Sequence, residues 1–202
     1  MIEERNNPDD SWNTDEIAPE LKELLEKIRT RKVEDPLQIQ QTLAELIKES
    51  DRGAALIAVA FLDFLLALLI ARRLIDLETA DKLLGLEKGN CPLSPLAVRT
   101  ELAFALGWIG PETRKELNLL RKIRNKFGHS HDVQGFEDQQ IKSWCNELNP
   151  PKWQEPVPAI PVQGRSRFVF TAVKLAMRLY ALVLESGRRL RSAQIRKSPR
   201  SM

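Results

Sequence analysis

Cysteine is almost missing from this sequence: Cys91 and Cys145 are the two in 202 residues, and no repeated spacing surrounds them. That excludes a disulfide framework and a cysteine-based zinc signature, and it suits a reducing compartment. Tyrosine occurs once and aromatics make up only 6% of the chain. Trp12, Trp108, Trp144 and Trp153 are scattered, so they fit core or connector anchors and not a platform for stacking bases. Alternating runs with hairpin turns are missing, as are internal repeats, which argues against a sheet and against a solenoid. The first sixteen residues, MIEERNNPDDSWNTDE, lack the basic start and apolar stretch of a secretory signal, so a cytoplasmic protein is expected.

What remains points to helices. Leu, Ala, Glu, Lys and Arg dominate, with 43% hydrophobic and 29% charged residues, a balance that fills a core and favours the α conformation. The expected fold class is all-α: a single bundle of about seven to eight helices with no sheet. Net charge is +3, yet the last sixteen residues carry six basic groups and no acid, which leaves −3 for the rest. The body is therefore not a general polyanion binder, whereas the tail is suited to salt-sensitive contact with nucleic-acid phosphates.

The order along the chain is an acidic arm over 1–14, a helical domain over 15–186 and a basic tail over 187–202, the last expected to be solvated and disordered. Within the domain, Ile17, Leu21, Leu24, Leu25 and Ile28 recur at helical spacing after Pro19, and Asp35 with Pro36 opens a second helix. Ser50 and Asp51 cap a long apolar helix reaching about Arg73. Its segment from Ala54 to Ala71 is nearly long enough to span a bilayer, but Asp63 lies close to its centre, so a buried core helix is expected and no membrane contact. A short helix carries Leu83 and Leu84. Ser94 and Pro95 start another, which Gly110 and Pro111 are expected to stop, and Thr113 with Glu116 has the spacing of a capping box for the next. Glu137 to Leu148 suits a further helix. A proline-rich connector over 150–163 and a final apolar helix over 166–185 complete the domain.

Candidate sites are few. In LNLLRKIRNKFGHSHD (117–132), Leu117, Leu120, Ile123 and Phe127 set an apolar side, while Arg121, Asn125 and His129 stack four apart and Arg124 can lean toward the same end. The bland reading is that cations suit the negative end of a helix and that Gly128 begins its cap. The functional reading gives Arg124 a fixed fork for a phosphate and His129 a mobile proton, with Asn125 orienting the group between them. Asp51, Arg52, Asp63, Arg99 and Arg121 form a second polar set, for binding or for structure. Asp51 suits a helix start, and Arg52 shares a face with Asp63 without touching it. Asp63, set among Phe61, Leu62, Phe64, Leu65 and Leu66, needs a partner, for which Arg99 or Arg124 is the candidate. His129 and His131 with Cys145 lack further ligands at a familiar spacing, so neither metal nor other cofactor is expected.

Two resemblances follow from these residues. RNKFGH (124–129) fits the arginine, four residues, histidine pattern of the HEPN superfamily, which implies a metal-independent ribonuclease with Arg124, Asn125 and His129 as catalytic residues. Longer blocks, ESDRGAALIAVAFLDFLLALLIARRL (49–74) and PLSPLAVRTELAFALGWIGPETRKELNLLRKIRNKFGHS (92–130), resemble the mannitol operon repressor family of bacterial all-helical regulators, over about 35–150. That resemblance implies a repressor-type transcription regulator. No helix-turn-helix pair with a polar recognition helix is visible, so such a regulator would act through a protein partner, as a homodimer, and not by reading DNA directly.

Overall fold

The computed structural model describes residues 46, 48–74, 77–84, 91–93, 95–129, 133, 135–151 and 163–197, with side chains to Ser186. They form six helices and no strand: α1 Asp51–Arg73, α2 Leu77–Leu84, α3 Leu96–Ala105, α4 Pro111–His129, α5 Gln139–Asn146 and α6 Gly164–Lys197. The two helices expected before residue 48, and most of the proline-rich connector, lie outside the described residues, as do Trp12, Trp153 and His131.

Helix α1 forms because nothing in it opposes the helix and because its first turn is capped. The Ser50 hydroxyl accepts the Gly53 amide at 3.0 Å, satisfying one of the donors a helix start leaves open. α1 packs against α2, α3, α4 and α6, so its sequence is apolar nearly all round. Phe61, Leu62, Leu65, Leu66, Leu69 and Ile70 are 0–1% exposed, and each such side chain contributes roughly 1.5–3 kcal/mol on burial. Among the described residues α1 is the one helix long and apolar enough to cross a membrane, and 72% of its most apolar window is buried inside the protein. It is the central core helix that the position of Asp63 predicts.

Helix α6 runs alongside α1 in the same direction. Arg165 at its start binds Asp51, and at the other end Arg72 and Arg73 donate to the Val183 carbonyl and the Ser186 hydroxyl. α4 lies across α1 and touches α3, α5 and α6. An aromatic chain joins these layers: Phe127 of α4 meets Phe136 edge-on at 5.1 Å, and Phe136 meets Phe168 of α6 at 5.2 Å.

Three local expectations are corrected. α3 stops at Ala105 because Gly107 takes φ +69°, a left-handed turn that glycine enters without a Cβ clash. Pro111 then opens α4 and does not stop α3, since proline at a first helical position loses no needed donor. Thr113 is thus inside α4 and makes no capping box: its hydroxyl has no partner, and Glu116 turns to α6, where Lys174 donates to it at 2.5 Å. Finally, α6 starts at Gly164 and continues to Lys197, so the first part of the expected disordered tail is helical. α5, bounded by an Asp138 cap that accepts the Gln140 and Ile141 amides, falls inside the expected 137–148.

Candidate functional site

The two acidic members of the polar set are about 18 Å apart along α1, given a rise of roughly 1.5 Å per residue. They belong to separate arrangements. Asp63 and Arg99, 8% and 7% exposed, meet at 2.7 Å. The same guanidinium donates to the Leu84 carbonyl at 2.9 Å and the Leu93 carbonyl at 2.6 Å. One arginine therefore ties the core helix to the end of α2 and to the approach to α3. Of the two partners expected for Asp63, Arg99 is one that the structure pairs with it. The position is set by α3, where Arg99 falls on the same inward side as Leu96, Thr100 and Ala103.

Asp51 is half-buried and accepts from Arg165 at 2.7 Å and from the Phe136 amide at 3.0 Å. Arg165 also donates to the Leu46 and Glu49 carbonyls, at 3.0 and 2.5 Å. Gly135 makes room for this knot: a Cβ there would sit 2.6 Å from the Asp51 carboxylate. A third clamp joins α4 to α6, with Glu116, 4% exposed, accepting from Lys174 and from the Asn149 amide, while Lys174 also donates to the Asn149 carbonyl. These are structural attachments, each charged group facing a partner in the same fold. Arg52 is half-buried next to Asp51, and Arg121 is half-buried on α4.

The RNKFGH residues do not converge. Arg124 is 7% exposed and belongs to the buried side of α4, whereas Asn125 is half-buried and His129 exposed. Residues five apart on a helix turn about 500°, leaving them roughly 140° apart around the axis. The arginine thus points into the bundle and the histidine out of it. Phe127, 1% exposed, is the motif's main contribution, as a core anchor. Geometry within one chain gives no support to a nuclease centre made of Arg124, Asn125 and His129.

The outward side of α4 carries a different arrangement. At about 100° per residue, Arg114, Lys115, Arg121, Lys122 and Lys126 fall within an arc of roughly 140°, together with Asn118, Asn125 and His129 and with no acid. Arg114 is paired with Glu101 at 2.6 Å and Lys115 with Glu147 at 3.3 Å. Arg121, Lys122 and Lys126 have no ion pair among the described residues. The Arg114 guanidinium beside Glu101 holds that carboxyl below its ordinary range, so the contact persists at neutral pH and is lost only as the solution becomes strongly acidic. A groove of about 360 Å³ opens on this face between Arg114, Asn118, Lys122 and Glu147.

Next to the basic arc, α3 presents apolar groups to solvent. Val98 is 39% and Leu106 49% exposed, with Leu102 half-buried and Ala105 exposed between them. Arg114 bridges the two helices by lying over the Phe104 ring at 4.5 Å. Exposed apolar residues rimmed by charge are the composition of a protein-binding surface more than of a catalytic cleft. Val98, Lys115, Lys122 and Lys126 do not stand out in the sequence, and Leu106, an apolar position of the helix that Pro95 starts, is 49% exposed. The spacing of 115, 122 and 126, and of 98, 102, 105 and 106, would have shown both stripes on a helical wheel.

Nothing at this surface resembles a metal centre: among the described residues no three His, Cys, Asp or Glu side chains gather. Cys145 is fully buried on α5, and burial pushes its thiol up to about 12, which keeps it protonated and poorly reactive at neutral pH.

Comparison with known proteins agrees with a helical bundle. No curated protein matches the chain. A chain in the X-ray structure of the MtlR-HPr complex from Escherichia coli is similar in fold, with a TM-score of 0.54 and 24% identity over 70% of this chain and 97% of that one. The family model described as Mannitol repressor matches residues 48–185. That span begins later than the resemblance read from the sequence and extends past it, through the connector and most of α6. Because it takes in α1 to α5 and the body of α6, the chain belongs to the mannitol repressor family.

Proposed function

We propose that this protein is a repressor-type regulator, cytoplasmic, that acts through a protein partner docked on the outward face of α3 and α4. The carrying observation is the exposed apolar pair Val98 and Leu106 beside an acid-free basic arc. Direct DNA reading fits poorly, since the most basic of the fully described helices, α4, commits its other side to the core. The similar structure is one of a complex with HPr, which makes HPr from the same organism the first partner to test. In isothermal titration with the full chain, Val98→Glu combined with Leu106→Glu should weaken binding at least about tenfold, equivalent to 1.4 kcal/mol, at an unchanged melting temperature. Unaltered affinity would move the interface elsewhere. Absence of any HPr binding, together with RNA cleavage that survives a chelator, would overturn the regulator reading.

The same regulator is proposed to pair with a second copy through α6. Phe170, Val173, Met177, Ala181 and Leu184 repeat at three- and four-residue steps, the spacing of a seam between packed helices. Met177 is 38% exposed, Ala181 is exposed, and the others are half-buried. Size-exclusion chromatography with light scattering should give twice the chain mass, and Met177→Glu with Ala181→Glu should give the monomer. A monomeric parent protein at micromolar concentration removes this part of the proposal.

A further inference from the structure

The basic arc of α4 has an acidic counterpart in the same chain. Residues 1–16 hold six acids, Glu3, Glu4, Asp9, Asp10, Asp15 and Glu16, against one base, Arg5, a net −5. On α4, Arg121, Lys122 and Lys126 are the cations that Glu101 and Glu147 leave without an ion pair among the described residues. We infer that the acidic N-terminal arm docks on this basic face of α4 in its own molecule.

Two observations favour this occupant. The first is where the chain enters the fold. Arg165 holds the Leu46 carbonyl, and Asp51 holds the amide of Phe136, in the segment that follows α4. Phe136 packs on Phe127 near the end of α4, so the entry point lies toward the His129 end of that helix. The second is reach. Leu46 lies 30 positions after Glu16; wound as a helix that stretch would span about 45 Å, and extended about 100 Å. α4, with 19 residues, is only about 28 Å long. Opposite charges confined to one molecule face each other at a high effective concentration, so individually weak, screened contacts add to a populated docked state.

The inference stands apart from the partner-docking reading, and its test uses no partner, so either can fail alone. Full-length protein is treated with a carbodiimide, which joins a carboxylate to an amine in contact with it, and is mapped by mass spectrometry. Cross-links from Asp9, Asp10, Asp15 or Glu16 to Lys115, Lys122 or Lys126 are expected. They should fall at least fivefold in ~1 M salt, where the Debye length is about 3 Å, and disappear at the altered positions in Lys122→Arg with Lys126→Arg. The Lys142 and Glu137 pair, 3.1 Å apart, serves as the internal sign that coupling works. Arm cross-links that go to Lys197 instead, that join differently labelled copies in a ¹⁴N/¹⁵N mixture, or that are absent while Lys142 and Glu137 couple would each overturn the inference. So would an oligonucleotide that binds through Lys122 and Lys126 in protein lacking arm cross-links.

Discussion

Replacing Arg99 with alanine should lower the stability of the protein by about 3–5 kcal/mol, because it removes the cation bonded to the Asp63 carboxylate in the core. Asp63 is 8% exposed among Phe61, Leu62, Leu65 and Leu66, themselves at 0–1%, so little of its charge faces solvent. The loss is compounded at the Leu84 and Leu93 carbonyls, which also receive this guanidinium. For a domain of this size the melting temperature should fall by roughly 10 °C. Asp63→Leu combined with Arg99→Leu separates the two contributions. Removing both charges of a buried pair is often nearly neutral, so this variant should recover part of the stability but not all, since the two carbonyls still lack their donor. Thermal melts of the two variants beside the parent check this. An Arg99→Ala protein within 1 kcal/mol of the parent would show that the pair adds little.

The second large effect belongs to Phe127. Truncating it to alanine should cost about 3–5 kcal/mol, the range for a fully buried phenylalanine. It is 1% exposed and begins the aromatic chain through Phe136 to Phe168 that joins α4 to α6. Two residues on, His129→Ala should lie within about 0.5 kcal/mol of the parent, because an exposed side chain gives up little on removal. Denaturant titration of both variants would reveal the contrast. Comparable losses at the two positions would mean that the histidine is held by contacts that its exposure does not suggest.

Those two cases also show what the amino-acid order discloses and what it withholds. α1 was legible to its ends, since Ser50 supplies the cap and the run from Ala54 to Ala71 is continuous. The need of Asp63 for a cation was legible from its neighbours; which cation was not, because Arg99 lies 36 residues away and reaches it through the placement of α3. The break between α3 and α4 was misread at Gly110 and Pro111 because the left-handed conformation of Gly107 leaves no mark in the sequence beyond the glycine itself. Glu116 fits a capping box by spacing, but a helix starting at Pro111 moves it to a position where α6 supplies Lys174. In RNKFGH the residue types suggested chemistry, and the angle around the helix, fixed by which side Phe127 buries, separated Arg124 from His129. The α3 and α4 surface needed the opposite emphasis: its residues repeat at helical spacing, but which stripe stays exposed is settled by packing.

The knot around Arg165 says where the folding unit must begin. Its guanidinium reaches the carbonyls of Leu46 and Glu49 before any residue of α1, and Leu46 is itself 1% exposed. A shortened chain that starts at the first helical residue, Asp51, keeps every turn of α1 yet leaves one arginine with two fewer acceptors and a core position empty. The boundary of the autonomous unit therefore lies upstream of its first described helix, at the point where the backbone carbonyls of Leu46 and Glu49 and the Leu46 side chain close the end of the bundle.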